Sequence, residues 1–375
     1  MPKQRKIKHY SFGYMSRRRR RGRILKVIAF LAVLAVLIFL GYCAAMAVVN
    51  LSNREQSGQE ESSVAASLPE EESAVSQTPE SSEEPEPSGG QTASADIRAV
   101  MLPEAALSDP QALEDFLEGL DPASCNTVAV ELKDAAGYLS YASEVQLAAA
   151  SGAIPAGAIT LEELEALASA IEDAGFTPAA YIYALQDDIA SHASYGTSYL
   201  YEDQAGVTWL DQAADNGGRS WLNPYMEAAV EYLGDLSAEI AGAGFDEIFA
   251  AGIQYPDTRY PAQMGYGPNA SSMTLTEALQ NVLDTMNSRA AVSGAEVIPV
   301  FEGSCYLGEN DSLYNGSPDT LQTEKAAPIL ESGRETEILA AIQLPEDQLI
   351  PVVTSEEQIS ALEAAGVRQY LLLGE

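Results

Sequence analysis

The chain has 375 residues, and its 20 lysines and arginines stand against 55 aspartates and glutamates, so the formal net charge is −35. A balance this acidic argues against nucleic acid as a partner, because nucleic-acid binding depends on basic side chains that neutralise phosphates. Two histidines and three cysteines argue against a histidine-rich metal site, a disulfide framework and a four-cysteine zinc site, so we predict no metal and no cofactor.

The chain begins with a basic segment that is followed by a long apolar stretch. Residues 1–26 hold 11 lysines and arginines and no acid, and Val27 to Val49 are 23 residues without a charge. As a helix this stretch is about 35 Å long, which is enough to cross a hydrocarbon core of roughly 30 Å. We therefore predict a single-pass transmembrane signal-anchor at 27–49, with a cytoplasmic tail at 1–26 and an extracellular C-terminal domain in the cell membrane.

The apolar stretch has two alternative interpretations, a cleaved signal peptide and a lipoprotein signal. A cleaved signal peptide usually has a shorter apolar region than this one. A lipoprotein would use Cys43 as the lipidated residue, but the bulky Tyr42 stands where a small residue is expected. The uncleaved anchor is the favoured interpretation.

The next segment, residues 50–95, has the composition of a disordered linker. Residues 51–95 contain 11 serines, 10 glutamates and 4 prolines, and no aromatic residue. Such a segment cannot bury enough apolar surface to offset its chain entropy. We predict that it is a spacer that holds the following domain away from the membrane.

Residues 96–375 alternate short apolar runs with helical patterns, which predicts strand-helix repeats and a parallel sheet. Eight candidate strands in a unit of this size favour a (β/α)8 TIM-like barrel. A doubly wound open sheet is the alternative, although no glycine-rich phosphate loop follows the first strand. The candidate strands are Arg98–Leu102, Thr127–Leu132, Pro178–Leu185, Asp246–Ile253, Glu296–Phe301, Glu337–Leu344, Leu349–Val353 and Arg368–Leu373.

Barrel active sites lie at the carboxyl ends of the strands, so acids at those positions are candidate catalytic groups. They include Glu131 and Asp134 after the second strand, Asp187 after the third, and Glu302 after the fifth. The long connection 186–222 carries both tryptophans of the chain, and aromatic faces of this kind stack on sugars. Carboxylates and aromatic rings together suit a carbohydrate site, whereas Asp246 and Glu247 at a strand start are read as structural.

Three motifs carry a resemblance to a known family. They are NTVAVELKDAAGYLSYAS, AGFTPAAYIYALQDDIA with the later RSWLNPY, and GFDEIFAAGIQYP. Together they span Asn126 to Asp257, and they resemble a family of glycoside hydrolases of unknown specificity related to the α-amylase-type barrels. That family has an aspartate on the fourth strand where this chain has Ala251, and an arginine where it has Gln254. The resemblance thus implies a glycan or cell-wall polysaccharide as partner, with the usual nucleophile replaced.

The residue assignments follow from this pattern. Glu302 is the predicted general acid, and Asp134 or Asp187 is the predicted base or nucleophile. The predicted ligand-binding residues are Lys133, Trp209, Trp221, Asn223, Tyr225, Tyr255 and Asp257. Three hypotheses stay open: a membrane-anchored glycoside hydrolase, a catalytically inactive barrel (a pseudoenzyme) that binds glycan or acts as a scaffold, and a structural ectodomain without a ligand.

Overall fold

The computed structural model describes residues 96–204 and 206–374. The basic tail, the apolar stretch at 27–49 and the linker at 50–95 lie outside these described residues, so their assignments stay predictions. Within the described residues, no helix is both long enough and apolar enough to cross a membrane.

The centre of the fold is a closed barrel of eight parallel strands, which confirms the predicted (β/α)8 architecture of this region. The ten strands of the described residues are β1 (Arg98–Met101), β2 (Thr127–Lys133), β3 (Thr177–Tyr183), β4 (Leu200–Tyr201), β5 (Glu247–Ala251), β6 (Met264–Gly265), β7 (Glu296–Glu302), β8 (Ala327–Ile329), β9 (Val352–Val353) and β10 (Tyr370–Leu372). The barrel order is β1-β10-β9-β8-β7-β5-β3-β2, while β4 and β6 form a separate antiparallel pair.

Helices connect most of the barrel strands. In the described residues they are α1 (Glu104–Leu107), α2 (Pro110–Gly119), α3 (Gln146–Ser151), α4 (Leu161–Asp173), α5 (Asp188–Ala193), α6 (Glu227–Gly242), α7 (Leu275–Ala290), α8 (Glu335–Ala341) and α9 (Glu356–Ala364). Both α4 and α7 begin with a capping box, in which Thr160 pairs with Glu163 and Thr274 pairs with Glu277. These pairs satisfy amide groups that have no partner inside the helix, so local sequence determines where the two helices begin.

One predicted strand is wrong. The apolar run at Glu337–Leu344 predicts the sixth barrel strand, but α8 occupies most of that run and the sixth strand is β8. β8 has only three residues, and the central Pro328 lacks the amide hydrogen of a regular strand, so its pattern is weak. The run is apolar because α8 covers the barrel, with Ile338 fully buried in a cluster that includes Val353.

Side chains on each strand alternate between the barrel interior and the surrounding helices. On β2, Ala129 belongs to the interior cluster, while Val128 and Val130 pack in the outer core with the helices. The same alternation runs along β7, where Ile298 and Val300 face inward. The position of a residue in its strand therefore decides whether its side chain can reach the ends of the barrel.

The amino-terminal end of the barrel holds a group of charges. Glu247 and Glu296 lie in register at the starts of β5 and β7, and Lys325 Nζ is 2.6 Å from a carboxylate oxygen of Glu296. The pKa of Glu247 is raised to about 7: burial is the main cause, the charge of Lys325 opposes it, and the charges of Glu296 and Asp246 add to it. This end of a barrel contributes to stability, which agrees with the structural role predicted for Asp246 and Glu247.

Candidate active site

The carboxyl ends of β10, β1, β2 and β3 surround a cavity of about 800 Å³, here called the mouth cavity. Its volume is typical of a small-molecule site, and it lies at the end of the barrel where active sites are found. Side chains that contribute to its wall include Met101, Glu104, Glu131, Asp134, Tyr138, Tyr181, Tyr183 and Leu373.

Two glutamates extend from strands toward the interior at this end. Glu131 lies in register with Tyr181, which belongs to the interior cluster. Glu302 is the last residue of β7 and follows the inward-facing Val300 by two positions, so alternation directs it to the same interior. One of the two, Glu302, was predicted as a catalytic acid from the sequence.

The pKa values of both glutamates are raised. Burial of the carboxyl group is the main cause for Glu131, and the charges of Asp134 and Glu104 add to it, although the side chain remains open to the cavity. Burial is also the main cause for Glu302, with a contribution from the charge of Glu331. A raised carboxyl pKa is what a general acid needs, because the group then keeps its proton nearer to neutral pH.

Two tyrosines of β3 stand between the strands that carry the glutamates. The rings of Tyr181 and Tyr183 meet edge to face, with centroids 5.6 Å apart. Burial raises the pKa of both tyrosines, and the charges of Glu131 and Glu302 both raise it further. The four side chains therefore share one electrostatic environment at the mouth of the barrel.

Ala251 ends β5 within this group of residues. It lies in register with Tyr183 on one side and Val300 on the other, and only 3% of its surface is exposed. The family that the motifs resemble has an aspartate here. At its carboxyl end β5 thus presents a methyl group to the interior, and the covalent route that uses a nucleophile at this position is absent.

A bulge in β2 changes the direction of Lys133. The pairing of β2 with β3 shifts between Glu131 and Lys133, so that Lys133 lies beside Ile182 on the outer face of the sheet. Strict alternation would have placed it inward with Glu131, and redirecting a side chain is a common effect of a bulge. Lys133 was predicted to bind ligand, but it is fully buried, and its Nζ donates to the Tyr183 carbonyl at 2.6 Å.

The partner of Lys133 is Asp187, a predicted catalytic residue. Lys133 Nζ lies 3.0 Å from Asp187 Oδ2, and both side chains are fully buried. Asp187 Oδ1 also accepts from the amide of Ala190 at 2.7 Å, so Asp187 caps the start of α5. Gly137 makes room for this carboxylate, because a Cβ at that position would lie 2.1 Å from Asp187 Oδ1. These contacts give the pair a structural role and leave Asp187 without access to the mouth cavity.

Asp134, the other predicted base or nucleophile, lines the mouth cavity but also holds a turn. Its Oδ1 accepts from the backbone amides of Ala136, Gly137 and Tyr138 at 2.8 to 2.9 Å. Such a network fixes the turn after β2, where the Lys-Asp-Ala-Ala-Gly motif ends. Asp134 Oδ1 therefore stabilises the turn after β2.

The predicted sugar-binding aromatic residues are mostly buried. Trp209 is fully buried, Trp221 is 6% exposed and Tyr225 is 3% exposed. Trp221 Nε1 donates to Asp211 Oδ2 at 3.1 Å, and the fully buried Asn223 donates to the Tyr266 carbonyl, also at 3.1 Å. The structure uses these side chains as the core of the long connection between β3 and α6, where none offers an open face for a sugar to stack on.

The last two predicted ligand residues lie near a second cavity, of about 510 Å³, between the segments that follow β5 and β7. We call it the loop cavity. Tyr255 is 3% exposed and contributes to its wall. Asp257 is exposed to solvent and lines neither the mouth cavity nor the loop cavity.

Two residues of the mouth were not selected from the sequence as site residues. Glu131 follows Ala129 by two positions, and that alternation is the signal that could have selected it over Asp134, although the same alternation also selects Lys133. Tyr138 is 47% exposed and lines the mouth cavity, where its ring is accessible. No sequence pattern separates it from the buried tyrosines of the chain.

Two cysteines of the described residues are free thiols. Both Cys125 and Cys305 are buried. The pKa of Cys305 is raised to about 12, mainly by burial and also by the charge of Glu302, which disfavours the thiolate form that a nucleophile needs. Within residues 96–204 and 206–374, no cluster of three or more histidines, cysteines and acids is placed to hold a metal ion.

A closed parallel barrel supports many chemistries, and glycoside hydrolysis is one of them. Residues 99–306, which are more than half of the chain, match the model of the family described as "Putative glycosyl hydrolase domain". The chain belongs to this family, which confirms the resemblance seen in its motifs. Comparison with the curated proteins gives no match.

Solved structures share the barrel at low sequence identity. The glycoside hydrolase domain of PgaB (BpsB) from Bordetella bronchiseptica is 12% identical with a TM-score of 0.55, and the match covers 74% of this chain and 93% of that one. A hypothetical protein from Ruminiclostridium thermocellum is 19% identical with a TM-score of 0.44, covering 53% and 96%. A GH20 exo-β-N-acetylglucosaminidase from Vibrio harveyi is 12% identical with a TM-score of 0.42, covering 74% and 41%. The first of these supports the barrel fold.

Proposed function

We propose that the barrel is a glycoside hydrolase that acts on a neutral glycan in the mouth cavity, with Glu302 as general acid and Glu131 as its partner carboxylate. The observation that carries the proposal is that both glutamates lie at inward-facing positions near the carboxyl ends of their strands and that their charges both act on Tyr181 and Tyr183. Both glutamates also have raised pKa values. Asp134 and Asp187 lose this role to Glu131, because their carboxylates hold a turn and a buried ion pair.

The reaction needs one proton donor, one proton acceptor and a water molecule. Glu302 donates its proton to the glycosidic oxygen as the bond between that oxygen and the anomeric carbon breaks. Glu131 accepts a proton from the water that attacks the same carbon. Because Ala251 cannot form a covalent intermediate, we expect direct attack by water and inversion of the anomeric configuration.

The charge of the mouth cavity bears on its substrate. Its wall carries Glu104, Glu131 and Asp134, and no lysine or arginine of the described residues lines it. An anionic polymer would meet only like charges there, which disfavours binding. A neutral glycan avoids that repulsion, and the exposed ring of Tyr138 offers it a stacking surface.

A second candidate function is glycan binding without turnover. Ala251 favours it, since the position that carries the nucleophile in related barrels is a buried alanine here. In that case the mouth cavity would hold the same neutral glycan, and the raised pKa values would have no catalytic consequence.

We also propose that residues 27–49 anchor the domain in the cell membrane and that the barrel faces the outside. Support comes from the 23 uncharged residues and from the basic segment before them. The full-length protein should stay in the membrane pellet through an alkaline wash. Recovery in the soluble fraction would contradict the anchor.

A glycan array and a set of soluble polysaccharides separate the two candidate functions. The full-length protein is assayed for binding and for the release of new reducing ends. Binding with release supports the hydrolase, and binding without release supports the inactive barrel. If neither occurs with any neutral glycan, both candidate functions fail and a structural ectodomain remains.

A further inference from the structure

The loop cavity is built from two segments of the chain at the carboxyl end of the barrel. One wall follows β5 and contributes Tyr255, Thr258 and Tyr266, and the other follows β7 and contributes Asp311, Ser312 and Asn315. Aromatic rings and prolines therefore share the wall with hydroxyl, amide and carboxylate groups. Carbohydrates have this same mixture of apolar C–H faces and hydroxyl groups, and a pocket of about 510 Å³ is large enough for a small-molecule ligand.

The aromatic wall is held firmly in place. The Tyr266 ring meets the rings of Tyr199, Tyr225 and Tyr255 edge to face, with centroids 5.5 to 6.0 Å apart. The Tyr255 hydroxyl donates to the Leu275 carbonyl at 2.8 Å. Packing and hydrogen bonds thus orient the two tyrosines before any ligand arrives, which lowers the entropy that binding would cost.

The two walls are tied to each other and to the proposed general acid. The amide of Tyr255 donates to the Leu313 carbonyl at 2.8 Å, which joins the segments. The buried Tyr314 hydroxyl donates to Gln254 Oε1 at 2.9 Å and accepts from the amide of Glu302 at 3.1 Å. One short stretch of chain therefore fixes both the backbone at Glu302 and the wall of the loop cavity.

The polar wall of the cavity is open to solvent. Asp311, Ser312 and Asn315 are all exposed, and no lysine or arginine of the described residues lines the cavity. A carboxylate beside neutral donors and acceptors suits the hydroxyl pairs of an uncharged sugar and disfavours an anion. The family match ends at residue 306, so this wall lies beyond the part of the chain that the family model covers.

From these observations we infer that the loop cavity is a second carbohydrate subsite, and that the substrate is an extended neutral glycan chain which occupies both cavities at once. This inference rests on the proposed hydrolase function. The mouth cavity lies among the ends of β10, β1, β2 and β3, and the loop cavity lies beyond the ends of β5 and β7. Glu302 ends β7, and the segment that follows it forms one wall of the loop cavity.

The test measures how activity depends on chain length in the full-length protein. The probes are neutral cello- and chito-oligosaccharides from disaccharide to octasaccharide, and the variants are Asp311→Ala and Ser312→Trp, which remove a polar group or fill the cavity. Both positions are exposed, so these variants should fold. The control is Glu324→Ala, which removes an exposed acid of the same β7–β8 connection that does not line either cavity.

For the longest oligosaccharide that the wild type cleaves, we expect Asp311→Ala to raise KM about fivefold and Ser312→Trp to raise it more. For the shortest oligosaccharide that is cleaved, KM should be the same in wild type and both variants. The Glu324→Ala control should have wild-type KM values at every length. Equal KM values for wild type and both variants at every length would overturn the subsite while leaving the mouth cavity active. A wild-type protein that neither cleaves nor binds any glycan would overturn the proposed function and this inference together.

Discussion

The two ends of the barrel carry similar groups in different surroundings. At the amino-terminal end, Glu247 has its pKa raised to about 7, but Glu296 and Lys325 fill the space beside it. At the carboxyl end, Glu131 and Glu302 also have raised pKa values, but Glu131 lines a cavity of about 800 Å³ and Glu302 lies at an inward-facing strand end. A perturbed pKa therefore does not identify an active site by itself. It becomes informative when the group can also reach a substrate.

The largest expected effect is a loss of catalytic rate when a glutamate is changed at the carboxyl end of the barrel but not at the amino-terminal end. Glu302→Gln removes the proposed acid, and loss of a general acid lowers kcat by about 10²- to 10⁴-fold. Glu247→Gln makes the same chemical change at the opposite end and should leave kcat within about twofold. Initial rates of reducing-end release on the best substrate of the polysaccharide set would measure both.

This pair of variants also has a clear contrary outcome. If Glu247→Gln lowered kcat as strongly as Glu302→Gln at the same folded fraction, the distinction between a catalytic end and a structural end would fail. Circular dichroism of each variant gives the folded fraction needed for that comparison.

A smaller effect is expected from the buried ion pair behind the mouth. Lys133→Met leaves the fully buried Asp187 without its cation, and breaking one side of such a pair costs about 3–5 kcal/mol of unfolding free energy. Arg334→Met breaks an ion-pair network on the surface, where solvent screens the charges, so the loss should be much smaller. Denaturant titration of the full-length variants measures the two values. Equal losses would contradict a structural role for Lys133.

The smallest effect is a pH dependence of stability from the amino-terminal end. Glu247 has a pKa of about 7 in the folded protein, above the ordinary value of 4.5. The folded state thus binds the proton more tightly, so this contribution is fully present below pH 4.5 and is lost as the pH rises through 7. The loss should be about 3 kcal/mol.

Glu247→Gln should flatten the unfolding free energy between pH 4.5 and 7. Asp257→Asn, at an exposed site that lines neither cavity, should leave the slope as in wild type. If the unfolding free energy of Glu247→Gln depended on pH as strongly as that of the wild type, groups other than Glu247 would be the cause of the pH dependence.

The barrel could be predicted from the sequence because its strands and helices carry strong local signals. The apolar run of β2 predicts its strand correctly, and the capping box at Thr160 fixes the start of α4 through local sequence. β8 escaped prediction because a three-residue strand with a central proline has almost no pattern. The segment of α8 has apolar residues because they pack against the barrel. In so short a run, the helical and strand periods of apolar residues cannot be distinguished, so the sequence predicts a strand there.

The site could be predicted only in part. Alternation along β7 is regular, so Glu302 faces the interior as a strand-end reading expects. On β2 the bulge turns Lys133 outward and leaves Glu131 as the acid that faces the interior. The sequence has no pattern that predicts this bulge. Trp209 and Trp221 were predicted to stack on sugars, but both are buried. Composition alone does not distinguish aromatic residues in a packed loop core from those on an open surface.

The most direct test of the central claim compares two neighbouring acids at the end of β2. Glu131→Gln removes the proposed partner carboxylate. Asp134→Asn keeps an oxygen that can still accept from the three backbone amides of its turn. The measurement is kcat for reducing-end release by the full-length protein and both variants. We predict a loss of about a hundredfold or more for Glu131→Gln and less than about threefold for Asp134→Asn. The reverse order, or no release by the wild-type protein on any neutral glycan, would contradict the assignment of the mouth cavity as a hydrolytic site.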